Sequence, residues 1–306
     1  MPAVRRLIPA LLLALTLVPA GIAARTADEA PEYGPPKGAL VIAGGGNLDG
    51  SGIYETFIEL AGGPDAKLVV IPTAGGNRNR DGSIKEYDEA DVIAPWLKRG
   101  MTHVRMLHTA DPKVADTEAF VQPLRDADAV WFNGGRQWNI VDSYANTLTY
   151  RELHKVLGRG GVIGGSSAGA TIQGHYLVRG AIEGSRIVMT PEKNHERAFD
   201  FLRRTAIDQH INTRSRWDDL IPVIQKYADL LGIGLSEATA IVVHGDTFEV
   251  IGAWKVAIHD NTRVYEPWEK PYYVLSPGDV YNMKTRRVEK YGIGTRARKT
   301  GTDGGF

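Results

Sequence analysis

The 306-residue sequence contains no cysteine. This absence excludes disulfide bonds, thiolate metal sites and a cysteine nucleophile together. An excess of charge of either sign is also missing, because 36 basic residues balance 36 acidic ones. A nucleic-acid-binding surface would favour a basic excess, so the composition gives no indication of such a partner. Any nucleophile in this chain is therefore expected to be an oxygen atom.

The N-terminal region lacks an apolar run long enough to cross a bilayer comfortably, since its apolar stretch covers only residues 7–18. Arg5 and Arg6 precede this stretch, and small residues follow it up to Ala24. That order predicts a secretory signal peptide, residues 1–24, with retention as a membrane anchor as the alternative. The expected location is secreted or periplasmic, without membrane contact after cleavage.

The rest of the chain divides into three parts by composition. Residues 25–37 are polar and proline-rich, which predicts a linker. Residues 38–290 carry the apolar runs of a single α/β domain, and an apolar content of 43% is ample for its core. Residues 291–306 are polar and glycine-rich, and we expect a disordered tail there.

Within the predicted domain, runs of Val, Ile and Leu alternate with amphipathic segments. The runs cover 39–45, 68–76, 103–108, 129–135 and 161–165, and the helix-like segments include 53–62, 89–100 and 116–127. This alternation predicts a mainly parallel sheet with helices on both faces, and a ligand site beyond the carboxyl ends of the strands. The short β-like runs at 232–245, 247–259 and 271–283 predict antiparallel strands that form a C-terminal β extension.

A glycine run, AGGGN at residues 43–47, follows the first predicted strand. Glycine at a strand end permits close approach of the backbone to a ligand, but it is also ordinary turn chemistry. Because no G-x-G-x-x-G pattern is completed there, we interpret the run as a turn and predict no dinucleotide site.

A second glycine-rich turn, Gly165 to Gly169, satisfies the pattern G-x-S-x-G. A predicted strand precedes it and a predicted helix follows it, which is the context of a nucleophile elbow that exposes a serine Oγ. Ser167 is then the exposed residue, and Ser166 is its small neighbour. The Ala168 N–H, at the positive end of the following helix, is expected to face the oxyanion that forms during attack.

A serine nucleophile needs a base, and histidine is the usual one. Of the eight histidines, His210 is distinguished by its surroundings, IDQHINTRSRWDDL at residues 207–220, where an acid and an amide precede it and arginines follow it. His195 lacks the H-E-x-x-H spacing of a zinc site, and no other histidine pair forms a convincing metal cluster. The sequence therefore predicts no metal.

Four segments in order resemble one known family. They are FNGGRQ (132–137), GSSAGA (165–170), DQH with the arginines that follow (208–216) and GIGLSEATA (232–240). On these motifs the chain resembles the cyanophycinase and dipeptidase E group of serine peptidases. The resemblance spans about residues 38–245 and implies a flavodoxin-like fold similar to class I glutamine amidotransferases, with serine in place of cysteine. It implies no cofactor.

The resemblance also implies residue roles. Ser167 is the nucleophile, His210 the general base, and Glu237 the acid that orients the imidazole, which agrees with the chemistry of a triad. The chain order of serine, histidine and acid argues against a common α/β-hydrolase, in which the acid precedes the histidine. The Gly135 N–H is implied as the second oxyanion donor beside Ala168, with Gly134 supplying the turn.

The substrate pocket implied by the resemblance would hold a β-linked Asp–Arg unit. Its residues are Gln137, Asp208, Gln209, Arg214 and Arg216. Arginine forks bind carboxylates well, and Asp208 would hold a guanidinium. The alternative is that both arginines form incidental ion pairs with nearby surface carboxylates such as Asp218 and Asp219.

Two positions depart from the family pattern. Asp219 stands where a third arginine is expected, and Ser236 stands where an aspartate usually precedes the glutamate. The first change replaces a carboxylate clamp with a negative charge, which is expected to repel a substrate carboxylate and attract a cation. Cyanophycin and a related isopeptide both remain candidate substrates.

We therefore expect an exported serine peptidase that hydrolyses aspartyl peptide bonds through an acyl-enzyme. Its partner is a peptide or isopeptide substrate, with no nucleic acid, and a homodimer is an open option. The alternatives are a non-catalytic periplasmic binding or structural protein with the same fold, and a secreted esterase, because a fold alone does not decide function.

Overall fold

The computed structural model describes residues 30–293 except residues 80 and 84. The predicted signal peptide and residues 294–306 of the predicted tail lie outside the described residues. No helix within the described part is long and apolar enough to span a bilayer.

Thirteen strands are found in the described residues, and they form two sheets. In chain order the strands are β1 (Ala39–Ala43), β2 (Lys67–Ile71), β3 (His103–Met106), β4 (Ala129–Phe132), β5 (Val162–Ser166), β6 (Thr205–Gln209), β7 (Leu231–Leu235), β8 (Thr239–His244), β9 (Thr247–Gly252), β10 (Val256–His259), β11 (Tyr273–Leu275), β12 (Val280–Asn282) and β13 (Arg287–Lys290). The main sheet has nine strands in the order β13-β12-β9-β8-β1-β5-β4-β2-β3.

Half of the main sheet is parallel and half is antiparallel. Strands β1, β5, β4, β2 and β3 pair in parallel, and these are the five apolar runs that predict a parallel sheet. Strands β8, β9, β12 and β13 continue the sheet from β1 by antiparallel pairing. The expected α/β fold with a C-terminal β extension is confirmed, and the sheet as a whole is mixed.

Eight α-helices lie in the described residues. They are α1 (Ile53–Leu60), α2 (Glu89–Lys98), α3 (Pro112–Ala115), α4 (Glu118–Arg125), α5 (Gln137–Tyr144), α6 (Leu148–Gly158), α7 (Ala168–Thr171) and α8 (Ile221–Lys226). Side-chain caps set some of the starts, since the Asp88 carboxylate accepts from the Ala90 N–H at 2.8 Å. The helix after the serine turn is only four residues long, so little helix dipole is available there.

Apolar side chains cover both faces of the main sheet. On one face Trp131 packs edge-on against Phe57 of α1 and Trp96 of α2. On the other face Phe132 joins a cluster that contains Ile140 of α5 and Leu153 of α6. Trp131 and Phe132 point to opposite faces because successive residues of a strand alternate. Helices therefore lie on both faces, as predicted.

A second sheet of four strands, in the order β11-β10-β7-β6, was not predicted from the sequence. The predicted run at 232–245 divides into β7 in this sheet and β8 in the main sheet. Ala238, at φ 52°, lies in the left-handed region between the two strands and turns the chain. Strands β6 and β7 run parallel, so their carboxyl ends lie side by side.

The described part of the predicted linker packs against the rest of the chain. Tyr33 is buried, and its N–H donates to the Asp246 carboxylate at 2.8 Å. The Arg203 guanidinium donates to the carbonyls of Pro31 and Gly34 at 2.6 and 2.5 Å. The folded part thus begins before Gly38, because Tyr33 and the carbonyls of Pro31 and Gly34 contact residues that follow it in the chain.

Candidate active site

The predicted site residues follow the carboxyl ends of strands from both sheets. Ser167 follows β5 and Gly135 follows β4 in the main sheet, whereas His210 follows β6 and Glu237 follows β7 in the second sheet. The main sheet presents the serine and the second sheet presents the other two side chains. This is the edge at which the sequence predicts a ligand site.

Ser167 has a strained backbone, with φ 59° and ψ −113°. Such a conformation in a residue other than glycine costs on the order of 1–3 kcal/mol and is typical of functional turns. The flanking glycines are required by close packing: a Cβ on Gly165 would lie 2.2 Å from the Gly169 carbonyl oxygen, and one on Gly169 would lie 2.1 Å from that of Phe132. The G-x-S-x-G spacing thus reflects backbone contacts on both sides of the serine.

Three polar side chains form a continuous hydrogen-bonded chain. The Ser167 Oγ lies 2.8 Å from His210 Nε2. His210 Nδ1 lies 2.5 Å from Glu237 Oε1. A carboxylate on one ring nitrogen fixes the tautomer that leaves the other nitrogen free to accept a proton from the hydroxyl. The structure therefore brings together the three residues to which the family resemblance assigns triad roles.

One further side chain donates to the Glu237 carboxylate, and the Glu237 backbone N–H is bonded as well. The Thr213 hydroxyl donates to Oε1 at 2.9 Å, and the Glu237 N–H donates to Asn212 Oδ1 at 2.9 Å. Burial favours a higher pKa for Glu237, but the hydrogen bonds from His210 and Thr213 and the charge of Arg214 outweigh it, and the pKa lies below its usual value. The carboxylate is therefore ionised at neutral pH.

The pKa of His210 lies below its usual value. Burial is the main cause, the positive charges of Arg214 and Arg216 add to it, and the hydrogen bond with Glu237 opposes it. Neutral imidazole is the form that accepts a proton, so these neighbours favour the basic form at neutral pH.

The glycine run after β1 contacts the histidine and the glutamate directly. A Cβ on Gly45 would lie 2.3 Å from His210 Cε1, and one on Gly46 would lie 2.7 Å from Glu237 Oε2. Both glycines have positive φ, 101° and 75°. The Gly44 carbonyl also accepts from the His210 N–H at 3.0 Å. The run is a turn, as interpreted from the sequence, and it is also the backbone surface on which the imidazole and carboxylate pack.

Two backbone N–H groups lie near the serine turn. Ala168 is the first residue of α7, so its N–H has no acceptor within that helix. Gly135 has φ 149°, and a Cβ there would lie 2.1 Å from the Ala74 carbonyl oxygen. Its neighbour Gly134 approaches the serine closely, because an added Cβ would lie 3.3 Å from the Cβ of Ser167. The left-handed position in this loop is Gly135 rather than Gly134, to which the sequence assigns the turn.

The two glutamines assigned to the pocket are buried beside the site. Gln137 begins α5, and its side-chain amide donates to the Val178 carbonyl at 2.6 Å. Gln209 lies at the end of β6, and its Oε1 accepts from Arg216 Nη1 at 3.3 Å. Each amide therefore holds a neighbouring residue in place, Val178 for Gln137 and Arg216 for Gln209.

Asp208 is fully buried and lies between two arginines. Its Oδ1 is 3.0 Å from Arg179 Nε and 3.8 Å from Arg216 Nη1. Its carboxylate is thus committed to cations of this chain, whereas the sequence assigns it to a substrate guanidinium. Burial lowers the pKa of Arg216 to about 10, and nearby Arg179 and Arg214 add to the effect against the opposing charge of Asp208.

Asp218 and Asp219 pair with residues other than Arg214 and Arg216. Asp218 lies 2.8 Å from Lys270 Nζ, and Asp219 forms an ion pair with Arg179. Neither carboxylate therefore pairs with Arg214 or Arg216. Arg214 is exposed, and its backbone N–H donates to the His210 carbonyl at 3.0 Å.

Some residues of the site were missed by sequence reasoning. Asn212 and Thr213 directly follow His210, so the motif itself contained the signal for them. The sequence indicates only a turn at Gly45 and Gly46, because nothing local links them to a histidine more than 160 positions away. Arg179 had no sequence signal at all.

The described residues contain no group of three or more histidine, aspartate or glutamate side chains that could hold a metal ion. Ser236, the second departure from the family pattern, is fully buried before Glu237, and its N–H donates to the Lys255 carbonyl at 3.2 Å.

Comparisons with known proteins agree with the fold and the motifs. The sequence model of peptidase family S51 matches residues 40–251. A cyanophycinase of Synechococcus elongatus is 30% identical over 271 residues, which cover 82% of this chain and 81% of the relative. A cyanophycinase of Geminocystis herdmanii is 25% identical over 267 residues, covering 81% of this chain and 94% of the relative. A solved peptidase structure from an acI-B1 actinobacterium shares the fold, with a TM-score of 0.60 at 21% identity over 80% of this chain and 97% of that one.

The α/β fold and these similarities define a serine-type peptidase, a hydrolase. The chain belongs to peptidase family S51, whose model covers more than half of it. The resemblance to the cyanophycinase and dipeptidase E group is thereby confirmed.

Proposed function

We propose that this peptidase hydrolyses aspartyl peptide bonds through an acyl-enzyme on Ser167, with His210 as general base and Glu237 as the orienting acid. The observation that carries the proposal is the hydrogen-bonded chain from Ser167 Oγ to His210 Nε2, 2.8 Å, and from His210 Nδ1 to Glu237 Oε1, 2.5 Å. A hydroxyl, a neutral imidazole and an ionised carboxylate in this order can perform nucleophilic attack at neutral pH.

The first half of the reaction forms the acyl-enzyme. Ser167 Oγ attacks the scissile carbonyl carbon while His210 Nε2 accepts the hydroxyl proton. The N–H groups of Ala168 and Gly135 donate to the oxyanion that develops. Because α7 has only four residues, these two donors are more important here than a helix dipole. The C–N bond then breaks as His210 returns the proton to the leaving amine.

The second half releases the acyl group. A water molecule attacks the ester carbonyl while His210 Nε2 accepts one of its protons, and the Ser167–acyl bond breaks as that proton passes to Oγ. Glu237 remains ionised in both halves and stabilises the imidazolium each time it forms. The enzyme thus returns to its starting state, with one peptide bond hydrolysed by one water molecule.

The substrate is an aspartyl peptide or isopeptide, and cyanophycin is the first candidate. The curated relatives are named cyanophycinases, and two arginines lie within the pocket segment. We assign Arg214 and Arg216 to a substrate carboxylate. Arg216 supports this assignment because its nearest carboxylate, Asp208, is 3.8 Å away and is shared with Arg179. Asp208 then acts by holding Arg216 and Arg179 in place, while Gln137 and Gln209 support the pocket walls.

We also propose that the enzyme is exported, in a secreted or periplasmic location. The support is the order of residues at the N-terminus, where Arg5 and Arg6 precede an apolar stretch and small residues up to Ala24. An exported peptidase acts on material outside the cytoplasm. Because this chain has no cysteine, it needs no disulfide formation to fold there.

Purified cyanophycin tests the proposed activity and substrate together. We expect the wild type to release β-Asp–Arg dipeptides and the Ser167→Ala variant to release none while retaining the wild-type Tm. Removal of a triad nucleophile typically lowers the rate by about 10⁴–10⁶-fold. If the wild type binds the polymer but cleaves neither the polymer nor any aspartyl peptide, the result would favour a non-catalytic binding protein instead. Activity of Ser167→Ala within tenfold of wild type would place the nucleophile elsewhere.

A further inference from the structure

Arg179 is a buried cation beside the proposed carboxylate pocket. Its side chain is 3% exposed, and its backbone has φ 59°, a left-handed conformation that is rare for arginine. Neighbouring Val178 accepts the hydrogen bond from Gln137, and Asp208 comes two residues before His210. Arg179 therefore lies between the wall that carries Gln137 and the strand that presents the base.

The guanidinium of Arg179 has partners on each of its three nitrogens. Nε donates to Asp208 Oδ1 at 3.0 Å, Nη2 lies 3.3 Å from Asp208 Oδ2, and Nη1 donates to the Ser185 carbonyl. Nη2 also donates to Asp219 Oδ2. The guanidinium is thus held by Asp208 from the buried side in the bidentate fork that arginine makes with carboxylates.

Asp219 differs from Asp208 in its access to solvent. The Asp219 side chain is 28% exposed, the Asp208 side chain is 0% exposed, and both contact the same guanidinium. Asp219 is therefore the partner of Arg179 that faces outward. Its carboxylate occupies the position through which an anion from solution would reach Nη2.

We propose that Arg179 is the centre of a carboxylate subsite that the chain's own Asp219 fills. In the resting enzyme Asp219 closes this subsite, so a substrate carboxylate can bind only Arg214 and Arg216. Asp219 is then a specificity-determining residue: it limits the pocket to substrates that present one carboxylate. The inference about substrates rests on the proposed function, whereas the subsite itself does not.

The charges of the neighbouring groups are consistent with this subsite. Arg179 and Arg216 are two buried cations, and the two carboxylates that contact them are Asp208, shared by both, and Asp219, which contacts Arg179. Removal of the Asp219 charge leaves both guanidinium groups with Asp208 alone, so one positive charge in this buried pair is uncompensated. An unpaired buried charge is destabilising unless an ion replaces the lost partner. The cluster without Asp219 should therefore bind a small carboxylate.

The test is the thermal stability of Asp219→Ala in acetate compared with chloride at equal ionic strength. Removal of the carboxylate opens the path to Arg179, so acetate should raise the Tm of this variant saturably, by about 2–4 °C. Asp218→Ala is the matched control, because Asp218 is the adjacent residue and its partner is the exposed Lys270. Neither Asp218→Ala nor wild type should show the saturable rise.

A second variant separates the subsite from general anion effects. Asp219→Asn removes the charge but keeps a side chain of the same shape over Arg179, so its Tm should respond to acetate at least tenfold more weakly than that of Asp219→Ala. If Asp219→Ala does not fold in chloride, refolding yields in acetate and in chloride give the same comparison.

Three results would overturn the proposal: an acetate response of Asp219→Ala no larger than that of Asp218→Ala, an equal response of Asp219→Asn, or refolding that acetate does not improve. None of these measurements requires turnover. An inactive enzyme whose Asp219→Ala variant is stabilised by acetate would thus contradict the proposed function and leave the subsite intact.

Discussion

The packing of Gly45 against His210 predicts that Gly45→Ala inactivates the enzyme although it adds only one methyl group. A Cβ at this position would lie 2.3 Å from Cε1, 2.6 Å from Nε2 and 2.9 Å from Nδ1 of the imidazole. The ring must therefore retreat by about 1 Å to reach an ordinary van der Waals distance. Such a shift breaks the hydrogen bonds that join His210 to Ser167 and Glu237.

The size of the effect follows from two separate costs. Misplacement of a catalytic group by about 1 Å lowers the rate by on the order of 10²-fold. The positive φ of Gly45, 101°, adds backbone strain when alanine replaces glycine, of about 1–2 kcal/mol. We therefore expect kcat to fall by about 10²-fold or more, with a modest loss of Tm.

Gly62→Ala is the matched control. Gly62 has nearly the same φ, 106°, but a Cβ there would meet no atom within 4 Å. Steady-state kinetics on an aspartyl substrate and thermal melts of both variants separate backbone strain from displacement of the imidazole. Gly62→Ala should show the loss of Tm that backbone strain alone causes, and only Gly45→Ala should lose kcat. If Gly45→Ala retains kcat within threefold of wild type, the turn does not position His210.

Two further predictions concern the site, and a third concerns export. The pKa of His210 lies below its usual 6.5, so kcat/KM should rise with pH through a midpoint below 6.5 as the imidazole loses its proton. Arg214→Ala removes a charge that lowers this pKa, so the midpoint of the variant should move to higher pH. An unchanged midpoint would contradict the assignment of His210 as the general base. Glu237→Gln should lower kcat by about 10³–10⁴-fold, as loss of the orienting acid does in other triads, with its midpoint at lower pH because Glu237 raises the pKa of His210. Edman sequencing of protein recovered from the native host should begin near Ala24 or Arg25, and a soluble product that begins at Met1 would rule out export.

The parallel half of the main sheet was predictable because its signals are local. Continuous apolar runs mark strands buried on both faces. Strands β1, β2 and β4 each contain such a run, and β5 begins with Val162 and Ile163. The second sheet was not predictable in this way. The run at 232–245 is apolar at both ends, and no local pattern assigns β7 and β8 to different sheets when only a turn at Ala238 separates them.

The contacts among the site residues also differ in whether they could be predicted, according to how far apart the residues lie in the sequence. The serine turn and the DQH segment were visible because each keeps its key residues within about ten positions. The approach of Gly45 to His210 and the pairing of Arg179 with Asp219 join segments that are distant in sequence, with 40 positions between the latter two. Pairwise long-range contacts have no local signature, so the negative charge of Asp219 was expected to face the substrate, and its partner was not foreseen.

Covalent labelling shows directly whether Ser167 is the nucleophile. A fluorophosphonate reacts with a serine that an adjacent base activates, and peptide mapping by mass spectrometry identifies the modified residue. We predict a single adduct on Ser167, formed in step with the loss of activity, absent from Ser167→Ala and strongly slowed in His210→Ala. An adduct on another serine, or full inactivation that leaves Ser167 unmodified, would contradict the account.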